Sequence, residues 1–163
     1  MSEITARVTL GTPLGPLTIC VAEGKVVEVG FPTSTPLPDF SESDADKDIA
    51  LSASSQLREY FAGKRQVFDL PLVARGTRFQ ESIWSEIEKV PFGQTATYKD
   101  LAIRAGKPKA ARAVGGAVGA NPIGIIIGCH RILGSTGKLT GYSGGHGIPT
   151  KVKLLELEGI EYK

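Results

Sequence analysis

The stretch KAARAVGGAVGANPIGIIIGCHR, residues 109–131, decides how this chain is read. Its first half, 109–119, has apolar residues at helical spacing and three glycines among them. At about 100° per residue it divides into two sides. Val114, Val118, Ala117, Ala110 and Ala111 fall on one, a core face; Lys109, Arg112, Gly115, Gly116 and Gly119 fall on the other, nearly bare backbone with cations. Each glycine costs a helix interior about 1 kcal/mol against alanine, so three need a reason, and close approach of another surface is the usual one. Two surfaces qualify. One is a second helix of the same chain. The other is a nucleic-acid groove: a helix dressed with side chains is about 10–12 Å across, whereas the DNA minor groove is only about 6 Å wide. A stripped face with one long arginine would press into such a groove, and Arg112 would reach the base stack or fill the gap left by a displaced base. The wheel leaves both surfaces open.

Asn121-Pro122 stops the helix. The apolar run 123–127, with Gly124 inside it, is too short for a helix and predicts a buried extended segment. It delivers Cys129, with His130 and Arg131 directly after. A free cysteine has a pKa of about 8.5, so a nucleophilic role requires a group that takes its proton. His130 is the nearest. Neighbours on an extended chain point to opposite faces, so a bridging water is expected between the two. Glu158 supplies a third member: on a last helix over 149–158 it shares a face with Leu154 and Leu155, and a carboxylate there needs a partner. The other reading of Cys129 is an inert core thiol, and of Glu158 a solvated helix-end acid.

Upstream of the quoted stretch lie more helix signals. Thr77-Arg78-Phe79-Gln80 is a capping box for a helix to Val90, stopped by Pro91-Phe92-Gly93, and Trp84 falls on its core side. Thr97-Tyr98-Lys99-Asp100 opens another helix that ends near Gly106. With the glycine-bearing helix it makes a helix, Gly/Pro turn, helix pattern, that of a helix-turn-helix. The N-terminal third reads as strands over 6–10, 17–21 and 26–31, then a loop over 32–48 rich in Pro and acids, a helix over 49–61, and a short strand over 67–72. A boundary at 74–76 gives two domains, 1–75 and 76–163.

The chain has 163 residues, of which 41% are hydrophobic and 22% charged, as in a globular protein. No run reaches the roughly 20 apolar residues of a membrane span, and the first residues, 1–7, lack the pattern of a signal peptide. A cytoplasmic protein without a membrane partner is expected. Two cysteines and two scattered histidines fit neither a disulfide framework nor a zinc site, so no metal is expected and Cys20 reads as core. His146, among glycines, reads as a loop residue. Charge is uneven. Residues 1–75 hold seven basic and ten acidic side chains, net −3; residues 76–163 hold twelve and seven, net +5. The basic half suits a polyanion, or simply a solvated surface.

Taken together, Asn121 to Arg131, the run 141–145 (GYSGG), the run 154–159 (LLELEG), the run 110–116 (AARAVGG), Thr97-Tyr98 and Phe79-Gln80 closely resemble the O6-alkylguanine-DNA alkyltransferases. The likeness is strong over about 76–159 and general over the N-terminal strands. It implies an α/β (α+β) fold, with a small antiparallel-sheet, ribonuclease H-like N-terminal domain and a helical, winged helix-turn-helix-like C-terminal domain. It implies single-turnover repair of double-stranded DNA containing O6-alkylguanine, with O4-alkylthymine as a further substrate, by minor-groove binding and base flipping. Cys129 would take the alkyl group, with His130, Glu158 and Asn121 in its machinery. Arg112 would be the intercalating finger and Tyr98 would help rotate the phosphate and support leaving-group protonation. Tyr142 and Ser143 would line the guanine pocket, the carbonyls of Cys129 and Ile132 would read the base edge, and Lys109, Gly115 and Gly116 would meet DNA. No cofactor is implied. A monomer is expected, with several copies along DNA an option.

Gly128 departs from the proline that normally precedes the family's cysteine. A glycine there loosens φ at the residue that aims the sulfur, and predicts slower or less selective transfer. Gly124 would widen the pocket. Three rival readings share some of these features. A non-catalytic damage sensor of the alkyltransferase-like type would replace Cys129. A transcription regulator would carry long polar side chains on its recognition helix. A Cys-His hydrolase would turn over repeatedly and ignore DNA.

Overall fold

A computed structural model describes residues 3–32 and 34–163. Met1, Ser2 and Thr33, which fall in the expected leader-free start and in the expected loop, lie outside the described residues. The chain forms two compact units, one ending at Ala74 and one running Arg75–Lys163.

The first unit is a four-stranded antiparallel sheet with one helix against it. Strands β1 (Ala6–Thr12), β2 (Gly15–Ala22), β3 (Lys25–Gly30) and β4 (Phe40–Ser41) lie in the order β3-β2-β1-β4. The β2–β3 connection is a two-residue turn, Glu23-Gly24, with both residues at positive φ (50° and 77°). That backbone matches the twist of the flanking strands. Helix α1 (Asp44–Phe61) covers the sheet with Ala50, Ala53, Leu57 and Tyr60, all fully buried.

Two expectations change here. The acidic end of the expected loop is ordered: Phe40–Ser41 pair with β1, and α1 starts at Asp44 rather than at residue 49. Ser43 caps it, and Asp44 and Asp46 sit in its first turn, where carboxylates offset the helix dipole. Asp44, Asp46 and Asp48 therefore belong to the start of a helix rather than to a loop. The expected strand over 67–72 reduces to a single bridge, Leu72 to Val26, and Val67 is exposed. Pro71 has no N–H to continue a ladder.

The second unit is helical. Helix α2 (Arg78–Glu88) has the capping box, both Thr77–Gln80 bonds being present, and ends two residues short of the expected Val90. Strand β5 (Ala96–Thr97) leads into α3 (Tyr98–Arg104), a turn, and α4 (Ala111–Gly119). Trp84 of α2 is buried and its indole N–H donates to the Ala117 carbonyl of α4 at 2.8 Å. A two-residue strand β6 (Ile132–Leu133) runs parallel to β5. Helix α5 (Ile148–Leu157) closes the unit, with Leu154 and Leu155 buried. No helix among the described residues is long and apolar enough to cross a membrane.

Candidate active site

The glycine-bearing helix buries Val114, Ala117 and Val118 and leaves Arg112, Gly116 and Gly119 exposed. Ala111, expected on the core side, is exposed, because the helix begins there; Lys109 precedes it and is also exposed. A Cβ built at Gly115, Gly116 or Gly119 meets nothing within 4 Å. The glycines therefore answer no neighbour inside this molecule, and packing against a second helix of the same chain is ruled out as their reason. The first turn of α4 has no side-chain cap. Its free N–H groups, with Lys107, Lys109 and Arg112 around them, suit an anion.

After α4 the chain turns rather than extends. The Ile127 N–H donates to the Ile123 carbonyl (3.0 Å) and the Ile126 N–H to that of Gly124 (2.8 Å), while Ile125 takes a φ of 69°. The expectation of an extended segment fails, although Ile123, Ile125 and Ile127 are buried as expected. Asn121 holds this turn: its Nδ2 donates to the Ile127 carbonyl (2.8 Å) and its Oδ1 accepts from the Ile123 N–H (3.0 Å). Cys129 then opens a single 3-10 turn, Cys129–Arg131.

Behind Cys129 lies a buried charged cluster. His130 is fully buried, and its Nε2 stands 2.5 Å from Glu158 Oε2. Glu158 caps α5 and also accepts from Arg131 Nε (2.8 Å), Arg131 Nη2 (3.1 Å) and the Gly93 N–H (3.0 Å). Arg131 Nη1 donates to the Val90 carbonyl at 2.9 Å. Burial, aided by the Arg131 and Lys151 charges, holds the imidazole below its ordinary value despite Glu158, so it is neutral. With Nε2–H given to the carboxylate, Nδ1 carries the lone pair, and it has no hydrogen-bond partner in the protein.

In front of Cys129 is a cavity of about 250 Å³ lined by Tyr98, Gly115, Val118, Gly119, Gly141, Tyr142, Ser143 and Cys129 itself. Burial pushes the Cys129 thiol above its ordinary value; the Asn121 amide, the Lys151 charge and the Tyr142 hydroxyl pull the other way. Burial and the neighbouring sulfur raise Tyr142 well above a normal phenol. Ser143 Oγ donates to the Gly119 carbonyl (2.9 Å) and so ties the loop 141–145 to α4. The carbonyl of Cys129 accepts from the Ile132 N–H, and that of Ile132 from Lys151 Nζ at 2.7 Å. Each carbonyl keeps a second lone pair.

Gly128 has a φ of −74°, which any residue, proline included, can adopt. A Cβ there would lie 2.8 Å from Arg131 Nη1 and 2.9 Å from Cζ. That guanidinium is fixed by Glu158 and Val90, so Gly128 makes room for it.

Sequence reasoning passed over Arg131 and Lys151. Lys151 is 1% exposed, with its pKa lowered to about 8 by burial. A signal for it was present: residues 151, 154, 155 and 158 share one face of α5, the rule that singled out Glu158. His146 lies in the turn before α5 and Cys20 is buried in the first unit. Among the described residues no group of three or more Cys, His, Asp or Glu is placed to hold a metal.

A helix-turn-helix whose second helix presents bare backbone, beside a cavity floored by a cysteine with a His–Glu pair behind it, defines a protein that brings a thiol to a nucleic acid. The comparisons with known proteins are specific. Residues 78–160 match the DNA binding domain of 6-O-methylguanine DNA methyltransferase, and residues 7–74 its ribonuclease-like domain. The chain belongs to this family. It is 42% identical over 149 residues to the methylated-DNA–protein-cysteine methyltransferase of Methanosarcina acetivorans, covering 91% of this chain and 94% of that one. Against the constitutive enzyme of the same name from Bacillus subtilis the identity is 39%, covering 95% and 96%. Among solved structures it superposes on Mycobacterium tuberculosis OGT in complex with DNA with a TM-score of 0.79 and 42% identity, covering 92% of this chain and 90% of that one.

Proposed function

We propose that this protein repairs DNA by a single, irreversible transfer of the alkyl group of O6-alkylguanine, and of O4-alkylthymine, to Cys129. The observation that carries the reading is the position of Cys129 on the floor of a cavity whose wall is the uncovered glycine face of α4. The damaged oxygen lies on the major-groove edge of a stacked base. The nucleotide must therefore be flipped out before the sulfur reaches it. The bare face of α4 fits the narrow minor groove, Arg112 takes the space of the flipped base, and Lys109 and the uncapped helix end meet phosphate.

The chemistry follows from the cluster. A water between Cys129 Sγ and His130 Nδ1 takes the thiol proton and passes one to Nδ1. The imidazolium that forms is stabilised by Glu158, whose charge is already buried against it. The thiolate attacks the saturated carbon, an S–C bond forms, the C–O6 bond breaks, and guanine leaves with the electron pair and gains a proton. Tyr142 and Ser143 line the base pocket, with Ser143 near O6. The product is a thioether, which no group here can cleave, so each molecule acts once and needs no cofactor. It acts as a monomer in the cytoplasm.

The test is an oligonucleotide duplex containing O6-methylguanine. One methyl increment on the peptide holding Cys129, with guanine restored in the DNA, is the expected result. Binding to the lesion without any increment would leave a sensor instead, and the transfer reading would be wrong.

A further inference from the structure

The first unit holds a larger cavity than the one over Cys129, about 370 Å³, and the transfer reading uses none of its residues. That volume is in the range of small-molecule sites. Strand pairing builds its floor. Ala6, Leu10, Leu17 and Val21 are buried on one face of the sheet. By the alternation of a strand, Arg7, Thr18 and Cys20 turn to the other face, where they line the cavity with Glu28. Arg7 of β1 lies opposite Cys20 of β2, and Cys20 opposite Glu28 of β3, so the three stand in one row and share a face. Cys20 is 3% exposed. Burial and the Glu28 charge raise its thiol above the ordinary value, while Arg7 pulls the other way. Both charged heads thus bear on the sulfur between them.

The polar groups of this cavity are unspent. A guanidinium has five N–H donors. Arg7 makes one long contact, 3.5 Å from Nη1 to the Pro38 carbonyl, and places its Cζ 4.9 Å from the centre of the Phe40 ring. Among the described residues neither Arg7 nor Glu28 has an ion-pair partner. Thr18 Oγ1 is buried with no hydrogen-bond partner in the protein, and a buried hydroxyl is as a rule bonded. Ile4 and Phe31 add apolar wall. A cation and an anion at the two ends of a row, an idle hydroxyl beside it and an apolar wall complement a molecule with an acid, an amine and an apolar body. The Cα atoms of Arg7 and Glu28 are two strand spacings apart, roughly 10 Å, and both side chains bear on the sulfur between. Two residues of extended chain span about 7 Å, which suits that gap. We propose that this cavity binds a small zwitterion of the dipeptide class, its carboxylate on Arg7, its ammonium on Glu28, its peptide group on Thr18 and its apolar side chain against Ile4 and Phe31.

The site stands apart from the transfer reading and is tested without DNA. The full chain, labelled with 15N, is titrated with three probes: glycyl-leucine, its N-acetyl form, which lacks the ammonium, and its C-terminal amide, which lacks the carboxylate. Glycyl-leucine should move the amide signals of Thr18, Cys20 and Glu28 and the Arg7 Nε–H signal along one saturable curve. Removing either end charge should weaken binding about tenfold or more, as expected for a lost charge-assisted hydrogen bond. Glu28 is exposed and Arg7 half-buried, so neutral replacements leave the sheet intact. Glu28→Gln should weaken glycyl-leucine about tenfold yet leave the N-acetyl probe within about twofold of its wild-type affinity, because the bond at issue is already gone. Arg7→Gln should do the same for the amide probe. Absence of a saturable shift at about 10 mM glycyl-leucine, above the range of weak millimolar binding, overturns the proposal. So do shifts confined to residues outside the cavity, and so does equal affinity for all three probes in wild type and both variants.

Discussion

Replacing Glu158 by glutamine tests the buried cluster most sharply, because shape is kept and only charge and one acceptor are lost. Glu158 Oε1 accepts from Gly93 N–H and Arg131 Nε, and Oε2 from His130 Nε2 and Arg131 Nη2. A glutamine NH2 on the first side would face two donors. On the second it faces Arg131 Nη2, while His130 can turn its Nε2 into an acceptor by moving its hydrogen to Nδ1. The second orientation is therefore the expected one, with Arg131 buried and short of its counter-charge. Breaking one partner of a buried pair costs about 3–5 kcal/mol. At the 2–4 °C per kcal/mol of a chain this size, the melting temperature should fall by about 10 °C. The displaced hydrogen also blocks Nδ1 from taking the Cys129 proton, and loss of a general base should slow methyl transfer by about 10²–10⁴-fold. The assays are a thermal melt, single-turnover transfer well below the melting point, and 15N NMR of the imidazole. A variant that melts and reacts like wild type, or that keeps its hydrogen on Nε2, would refute the argument.

Three further outcomes are expected. Arg112→Ala should weaken repair of the duplex about tenfold or more, in the range of a few kcal/mol for a lost base-filling contact, yet react normally with free O6-benzylguanine; equal loss on both would remove Arg112 from DNA recognition. Gly128→Pro should not speed transfer and should lower stability by about 1–3 kcal/mol, the cost of overpacking, because its Cβ meets the fixed guanidinium; a melt at or above wild type would contradict this. Burial raises the Cys129 thiol, so alkylation of the free protein by iodoacetamide should climb steadily from pH 6 to about 8.5, following the thiolate fraction; a plateau already reached by pH 7 would mean that the sulfur is ionised at rest.

Local signals carried much of the architecture. The Thr77–Gln80 capping box and the Gly/Pro stop at 91–93 each depend on residues a few positions apart, and each gave its element. Where a second, distant element decides, the sequence misled. The segment 39–48 looks like a loop until β1 pairs with Phe40–Ser41 and Ser43 caps α1. The apolar run before Cys129 looks like a strand until the Asn121 side chain closes it into a turn. The glycine face posed a question the wheel left open, and the emptiness of the space over it removed one of the two answers, packing on a helix of the same chain.

By itself, the order of residues determined the helix periods, the caps and the adjacency of Cys129 to His130, because these are set by covalent neighbours and by the geometry of one turn. Only the tertiary structure decided that a carboxylate at 158 faces an imidazole at 130 and a guanidinium at 131, and that Lys151 reaches Thr140 and so Tyr98. Those contacts join residues eleven to forty-two positions apart. Their strength comes from exclusion of water, which is a property of the assembled core and of no segment within it.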